Sequence, residues 1–181
     1  EPPRKVFFGF DVSGEVNVAT PIDDMAQALR DLDGVNTEAI EAIGGYASLV
    51  MQLRASDGDD DRWHGRRAIM ADDAFLDASE FTMKLIAEDY GPTAADVTLA
   101  MREDPSLVIV GGGMLNTQEP TEEEAEDSLF GRLYYEAEKM EPVALEMREP
   151  RTGEIIPVTV IGVFDRLHRN DFWVVGSKAV L

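Results

Sequence analysis

The chain has 181 residues, with 36 Asp plus Glu against 16 Lys plus Arg and a formal net charge of −20. That balance argues against a nucleic-acid binder and against a polybasic membrane-surface module, since both need stripes of Lys and Arg. The length fits one domain, 44% hydrophobic residues allow a sizeable core, and the absence of cysteine excludes disulfide scaffolds, thiol nucleophiles and Cys-ligated metal sites.

Phe7 to Ala19 alternates irregularly with β-branched and aromatic residues, which predicts an early strand. Ile22, Met25, Ala26, Leu29 and Leu32 fall at helical spacing between Thr20-Pro21 and Asp33-Gly34. Asn36 caps a short second helix through Ile43, stopped by Gly44-Gly45. Tyr46 to Ala55 reads as a strand, Asp57 to Asp61 as a turn, and Trp63 to Ala71 as the returning strand. Asp72 to Ala78 suits one or two helical turns, and Phe81 to Ala87 alternates weakly as a strand would. Thr93 caps a helix over Ala94 to Glu103, with Pro105 beyond it. Leu107 to Val110 is the apolar run of a buried strand. Residues 111–129, with three glycines and Glu119 and Glu122 to Glu124, read as a long loop. Leu133 to Glu138, Val143 to Glu149, Ile155 to Phe164 and Phe172 to Val175 read as strands, with a hairpin turn at Pro150 to Gly153. The sum is an α+β domain: a mixed sheet with short helices over residues 1–181, with a sub-lobe within about 72–138.

Charge is unevenly spread. Residues 1–5 and residues 151–181 each sum to +1, which leaves −22 on residues 6–150. No stretch approaches the roughly 18 consecutive apolar residues of a membrane span. The chain opens on Glu1 and closes on Ser177 to Leu181 like an element cut short, as expected of a segment of a longer protein.

No motif for catalysis or metal binding is complete. An EF-hand loop starting at Asp57 would need Gly at its sixth position and Glu at its twelfth, where Arg62 and Ala68 stand. Gly111-Gly112-Gly113 follows a strand, but Asn116 breaks the GxGxxG frame and no Lys-Ser/Thr follows. His64 and His168 lack supporting ligands at short spacing. None of the serines sits in a G-x-S-x-G elbow. The expectation is a non-enzyme with no cofactor, no metal and no nucleic-acid partner. Phe130, Leu133, Tyr134 and Tyr135 form a candidate partner-binding patch, and core packing would use the same residues.

Four phrases, in order, carry a resemblance. They are VNTEAIEAIGGYASLVMQLR (Val35 to Arg54), DDAFLDASEFT (Asp72 to Thr82), AEDYGPTAADVTLAMREDPSLVIV (Ala87 to Val110) and IIPVTVIGVFD (Ile155 to Asp165). Together they resemble the extracytoplasmic, periplasmic-core-like domain of ABC transporter permeases of the FtsX/MacB type. The acidic stretch Gly111 to Leu129 has no counterpart in that pattern.

The resemblance implies a MacB-like α+β domain on the extracytoplasmic side of a cell membrane. It would be joined to its own transmembrane helices and paired in the full complex with a second permease subunit and two ABC ATPase subunits. The ATPase subunits would hold the nucleotide. The domain itself would couple membrane-helix motion to an external substrate or protein partner, in transport or mechanotransmission. Its near-neutral ends would then lie by the membrane and its acidic middle would project outward. A regulatory module that binds a ligand or partner, for example one controlling a cell-wall hydrolase, is the alternative. It would use the 111–138 segment. A small hydrolase is the third reading, and no motif supplies its nucleophile or metal.

Overall fold

The computed structural model describes residues 27, 31, 44–56, 62–79, 81–127, 129–131, 133–165 and 173–181. The strand expected at Phe7 to Ala19, the helix over Asn36 to Ile43 and the turn at Asp57 to Asp61 lie outside them. So does all of the expected first helix except Gln27, which is helical, and Asp31.

Among the described residues there are seven strands: β1 (Tyr46–Ala55), β2 (His64–Ala71), β3 (Met83–Ile86), β4 (Leu107–Gly111), β5 (Val143–Arg148), β6 (Ile155–Phe164) and β7 (Trp173–Ser177). The helices are α1 (Asp73–Ala78), α2 (Ala94–Glu103) and α3 (Glu122–Asp127). α2 starts where Thr93 and Asp96 cap each other: the Asp96 N–H donates to Thr93 Oγ1 at 3.2 Å, and the Thr93 N–H donates to Asp96 Oδ2 at 3.0 Å. The β5–β6 hairpin turns through Gly153 at φ +73°, a conformation that glycine adopts without a Cβ penalty.

The sheet order is β3-β6-β4-β7-β2-β1-β5, and β5 pairs again with β6. Six strands thus close into a barrel, and β3 is added beside it. β6 permits this because its partners divide its length. Thr159 and Val160 face β4 on one edge and β5 on the other. Beyond them, β3 takes over from β5 along the second edge. A mixed sheet with short helices is what the sequence predicts; its closure is not.

Alternation sorts the side chains between two cores. Ala47, Leu49, Met51 and Leu53 of β1, Ala68 and Met70 of β2, Val108 and Val110 of β4, and Leu145 and Met147 of β5 fill the interior. Ile69, Ala71, Leu107, Ile109 and Val175 point outward and are covered by Leu76 of α1, Phe81, and Val97 and Met101 of α2. β6 changes parity midway: Val158, Val160 and Val163 point in, while Ile161 and Phe164 point out. The cause is a register shift against β4, where Val108 faces Val160 but Ile109 faces Gly162. The extra residue, Ile161, lands under the helices. The second half of β6 can therefore serve both cores.

Two sequence expectations are corrected. Leu133 to Glu138 is not a strand; it contributes one isolated bridge, Asn116 to Tyr134. Residues 111–129 are not all loop; they hold a 3₁₀ turn at Gly112–Met114 and helix α3. Leu133 is apolar because it fills the distal mouth of the barrel, not because it belongs to a sheet.

Two substitutions on β1 test the barrel interior. Leu53 is fully buried inside, whereas Val50 is 62% exposed on the outer face. Leu53→Ala should cost about 2–5 kcal/mol in denaturant unfolding, and Val50→Ala should stay within about 0.5 kcal/mol. Equal losses would contradict the inside-outside assignment.

Candidate functional site at the two ends of the barrel

Strand directions give the barrel two distinct ends. β1, β4 and β6 run one way, and β2, β5 and β7 run the other. Tyr46 pairs with Ala71, and Ala71 pairs with Ser177. The chain therefore comes into β1 and leaves β7 at the same end, two strands apart, about 10 Å at the usual strand spacing. We call this the proximal end.

A compact set of contacts holds the incoming chain there. Asp72, just after β2, accepts from the Gly45 N–H through Oδ2 at 2.9 Å and from the Phe75 N–H through Oδ1 at 2.8 Å. Its own N–H donates to the Gly45 carbonyl at 3.0 Å. One carboxylate thus caps α1 and binds the segment leading into β1. The Tyr46 and Phe75 rings lie 4.9 Å apart and tilted by 52°. Gly44 crosses the first turn of α1 so closely that a Cβ there would sit 2.3 Å from Phe75 N. The sequence marks Gly44-Gly45 only as a helix stop and Asp72 only as a cap. Their meeting depends on the β1–β2 register, which no local pattern encodes.

The distal end receives the acidic excursion. β4 ends there at Gly111, and β5 begins there at Val143. Between them, Leu115, Phe130, Leu133 and Met140 join the interior core. Asn116 ties the two limbs: its N–H donates to the Leu133 carbonyl at 3.2 Å, its carbonyl accepts from the Tyr135 N–H at 2.8 Å, and its side-chain amide donates to the Gly131 carbonyl at 3.0 Å. The sequence reading registers Asn116 only as a break in a glycine motif. α3 is started by a second capping pair, in which the Glu124 N–H donates to Thr121 Oγ1 at 3.3 Å and Glu124 accepts from the Thr121 N–H at 2.9 Å. The backbone bond and then the hydroxyl bond from Thr121 hold the Glu124 carboxyl below its ordinary range.

The four residues of the candidate patch are split by this arrangement. Phe130 and Leu133 are 4% and 6% exposed and face the barrel core, Tyr134 is half-buried, and Tyr135 is exposed. Lys84 Nζ of β3 sits 3.5 Å from the Tyr135 ring centroid. Lys139 pairs with Glu88 at 2.9 Å, and the hydrogen bond and charge of Glu88 raise its pKa. The returning limb is thereby tied to β3 and the turn after it.

Elsewhere the side chains form structural polar clusters. On the outer wall, the guanidinium carbons of Arg148 and Arg54 lie 4.1 Å and 4.6 Å from the Trp63 ring centroid. Arg148 is held by two bonds to Gln52 Oε1, and Arg54 by Glu146 at 2.6 Å. His64 is half-buried on β2 opposite Leu53, and His168 lies outside the described residues. A cleft of about 510 Å³ opens beside α2 between Tyr90 and Leu107, with Asp89, Asp96, Glu103 and Asp104 among its walls. Asp96 is used in the α2 cap, and Asp104 accepts from the Ser106 hydroxyl and N–H. Among the described residues no group of three or more His, Cys, Asp or Glu is placed to hold a metal ion. No helix there is long and apolar enough to cross a membrane. Carboxylates occur at both ends of the barrel, since Asp72, Asp73 and Asp104 are proximal.

No family model matches the chain, and no curated protein matches it. Among solved structures, the extracellular domain of the noncanonic ABC-type transporter YknZ from Gram-positive bacteria is similar to it over 96% of this chain and 72% of that chain. The identity is 14% and the TM-score 0.46.

Two measurements check the distal and proximal assignments. Phe130→Ala should cost about 3–5 kcal/mol of stability as a core truncation, while Tyr135→Ala should stay below about 1 kcal/mol. The second concerns Glu149 in the β5–β6 turn. Burial pushes its carboxyl up, but bonds from Arg151 and from the Thr152 backbone and side chain outweigh this and leave it lowered. A lowered folded-state pKa stabilises the fold above the unfolded value and loses that effect as pH falls through the folded one. Glu149→Gln should therefore flatten part of the acid limb of stability against pH below the usual carboxylate range. An unchanged acid limb would show that the turn contacts do not hold the charge.

Proposed function

We propose that residues 1–181 are the extracytoplasmic domain of an ABC transporter permease of the FtsX/MacB type. In this reading the domain is non-catalytic. It moves as its membrane helices move and passes that motion to a substrate or partner outside the membrane. A second permease subunit and the ATPase subunits complete the assembly.

The observation that carries the reading is the shared proximal end. A domain inserted between two membrane segments is best moved as a body when both connections leave from one end. Here the chain enters β1 at Tyr46 and leaves β7 at Ser177, and these two residues flank β2 in one row. The four sequence phrases support it as well, because they fall in chain order on β1, α1, α2 with β4, and β6. The distal excursion, with its interior plug and its acidic helix α3, is the end turned away from the membrane. A rigid barrel swung from one end displaces its far end most, so contact with a partner would be made there.

Cysteine labelling tests this directly, because the 181 residues contain no cysteine. In cells making the full-length protein, cysteines are placed singly at Val50, Leu99 and Glu123. A membrane-impermeant maleimide should label all three without lysis. Labelling only after permeabilisation would place the domain on the cytoplasmic side and end the reading.

A further inference from the structure

We infer that Asp72 is a mechanical clasp: it locks the segment leading into β1 onto α1, so that load arriving at the proximal end enters the helix-covered wall instead of peeling β1 from the barrel. Force applied to the chain before β1 and after β7 acts at the same end of the two strands that flank β2. Pulled from one end, a strand pair opens bond by bond, and each bond carries the load alone. β1 and β7 both lie against β2 in this geometry, so without reinforcement the row Tyr46, Ala71 and Ser177 would open first.

The reinforcement sits at that row. Asp72 accepts from Gly45 on one oxygen and from Phe75 on the other, and its N–H binds the Gly45 carbonyl. Three hydrogen bonds thus join the incoming segment, the end of β2 and the first turn of α1 within a few residues. The Tyr46 and Phe75 rings pack across the same junction. Gly44 lets the backbone pass within van der Waals contact of α1, and any side chain there would force the two apart. α1 in turn is tied to α2 through Arg102, whose Nη1 bonds both Asp77 oxygens at 3.0 Å. The load therefore spreads over α1, α2 and the outer core they cover.

The inference deepens the permease reading by naming where movement enters the domain. Its test uses the isolated 181-residue chain, so its failure leaves the membrane placement untouched, and failure of the labelling test leaves the clasp untouched. Handles are attached through Ile43→Cys and Leu181→Cys, and the lifetime of the folded state is measured under constant load. Asp72→Asn keeps a good helix cap but loses the second carboxylate oxygen that receives Gly45. It should shorten the lifetime about fivefold, as expected for one lost hydrogen bond. Thr93→Ala, which removes the α2 cap away from this junction, should leave the lifetime nearly unchanged. Asp72→Ser retains a one-oxygen cap and serves as a second variant should Asp72→Asn fail to fold. An unchanged lifetime in the Asp72 variants, or an equal shortening by Thr93→Ala, would overturn the clasp.

Discussion

The structure depends on the double use of β6. A strand has two edges, and β6 spends one on β4 and divides the other between β5 and β3. Without the β5–β6 pairing the sheet would stay open, with β5 as an unpaired edge. Without the shift between Val160 and Gly162, strict alternation from Val160 would turn Val163 outward and Phe164 inward. The irregularity therefore lets one ten-residue strand close the barrel and then feed the helix-covered outer core.

Closure also fixes where the chain can leave. In a closed sheet the ends of the strands are the only exits, and the direction of each strand decides which end it offers. β2 runs parallel to β7 and antiparallel to β1, so the start of β1 and the end of β7 lie on either side of the end of β2. The same logic sends both limbs of the acidic excursion to the opposite end. There the interior would be open to water, and Leu115, Phe130, Leu133 and Met140 fill it. The excursion is thus both a plug and a projection: its apolar residues face the barrel, and Glu122 to Glu124 face solvent.

Much of the local structure is legible in the sequence. The alternation of Tyr46 to Ala55, the Thr93 cap and the apolar run Leu107 to Val110 each carry their own signal, and each appears close to its expected bounds. What is not legible is long-range. The second pairing of β6, the meeting of Gly45 with Asp72 and the bridging by Asn116 join residues far apart in the chain. The expected strand at Leu133 to Glu138 fails for a related reason. Phe130, Leu133 and Met140 answer to the shape of the barrel mouth and not to the alternation of a strand. α3 was hidden by its composition, since five of its six residues are acidic and show no apolar face. Its Thr121–Glu124 capping pair was the signal that could have found it. The candidate patch illustrates the same limit: adjacency in sequence put Phe130 and Leu133 beside Tyr135, while the barrel takes the first two inside and leaves the third out.

The central claim is that the barrel is held by its proximal end, with the distal excursion directed away from the bilayer. The most direct measurement places spin labels singly at Ala179 and at Glu123 in the full-length protein, reconstituted in lipid nanodiscs. Their relaxation by paramagnetic headgroup lipids is then compared. The account predicts strong relaxation at Ala179 and little at Glu123. Stronger relaxation at Glu123, or equal relaxation at both, would contradict it.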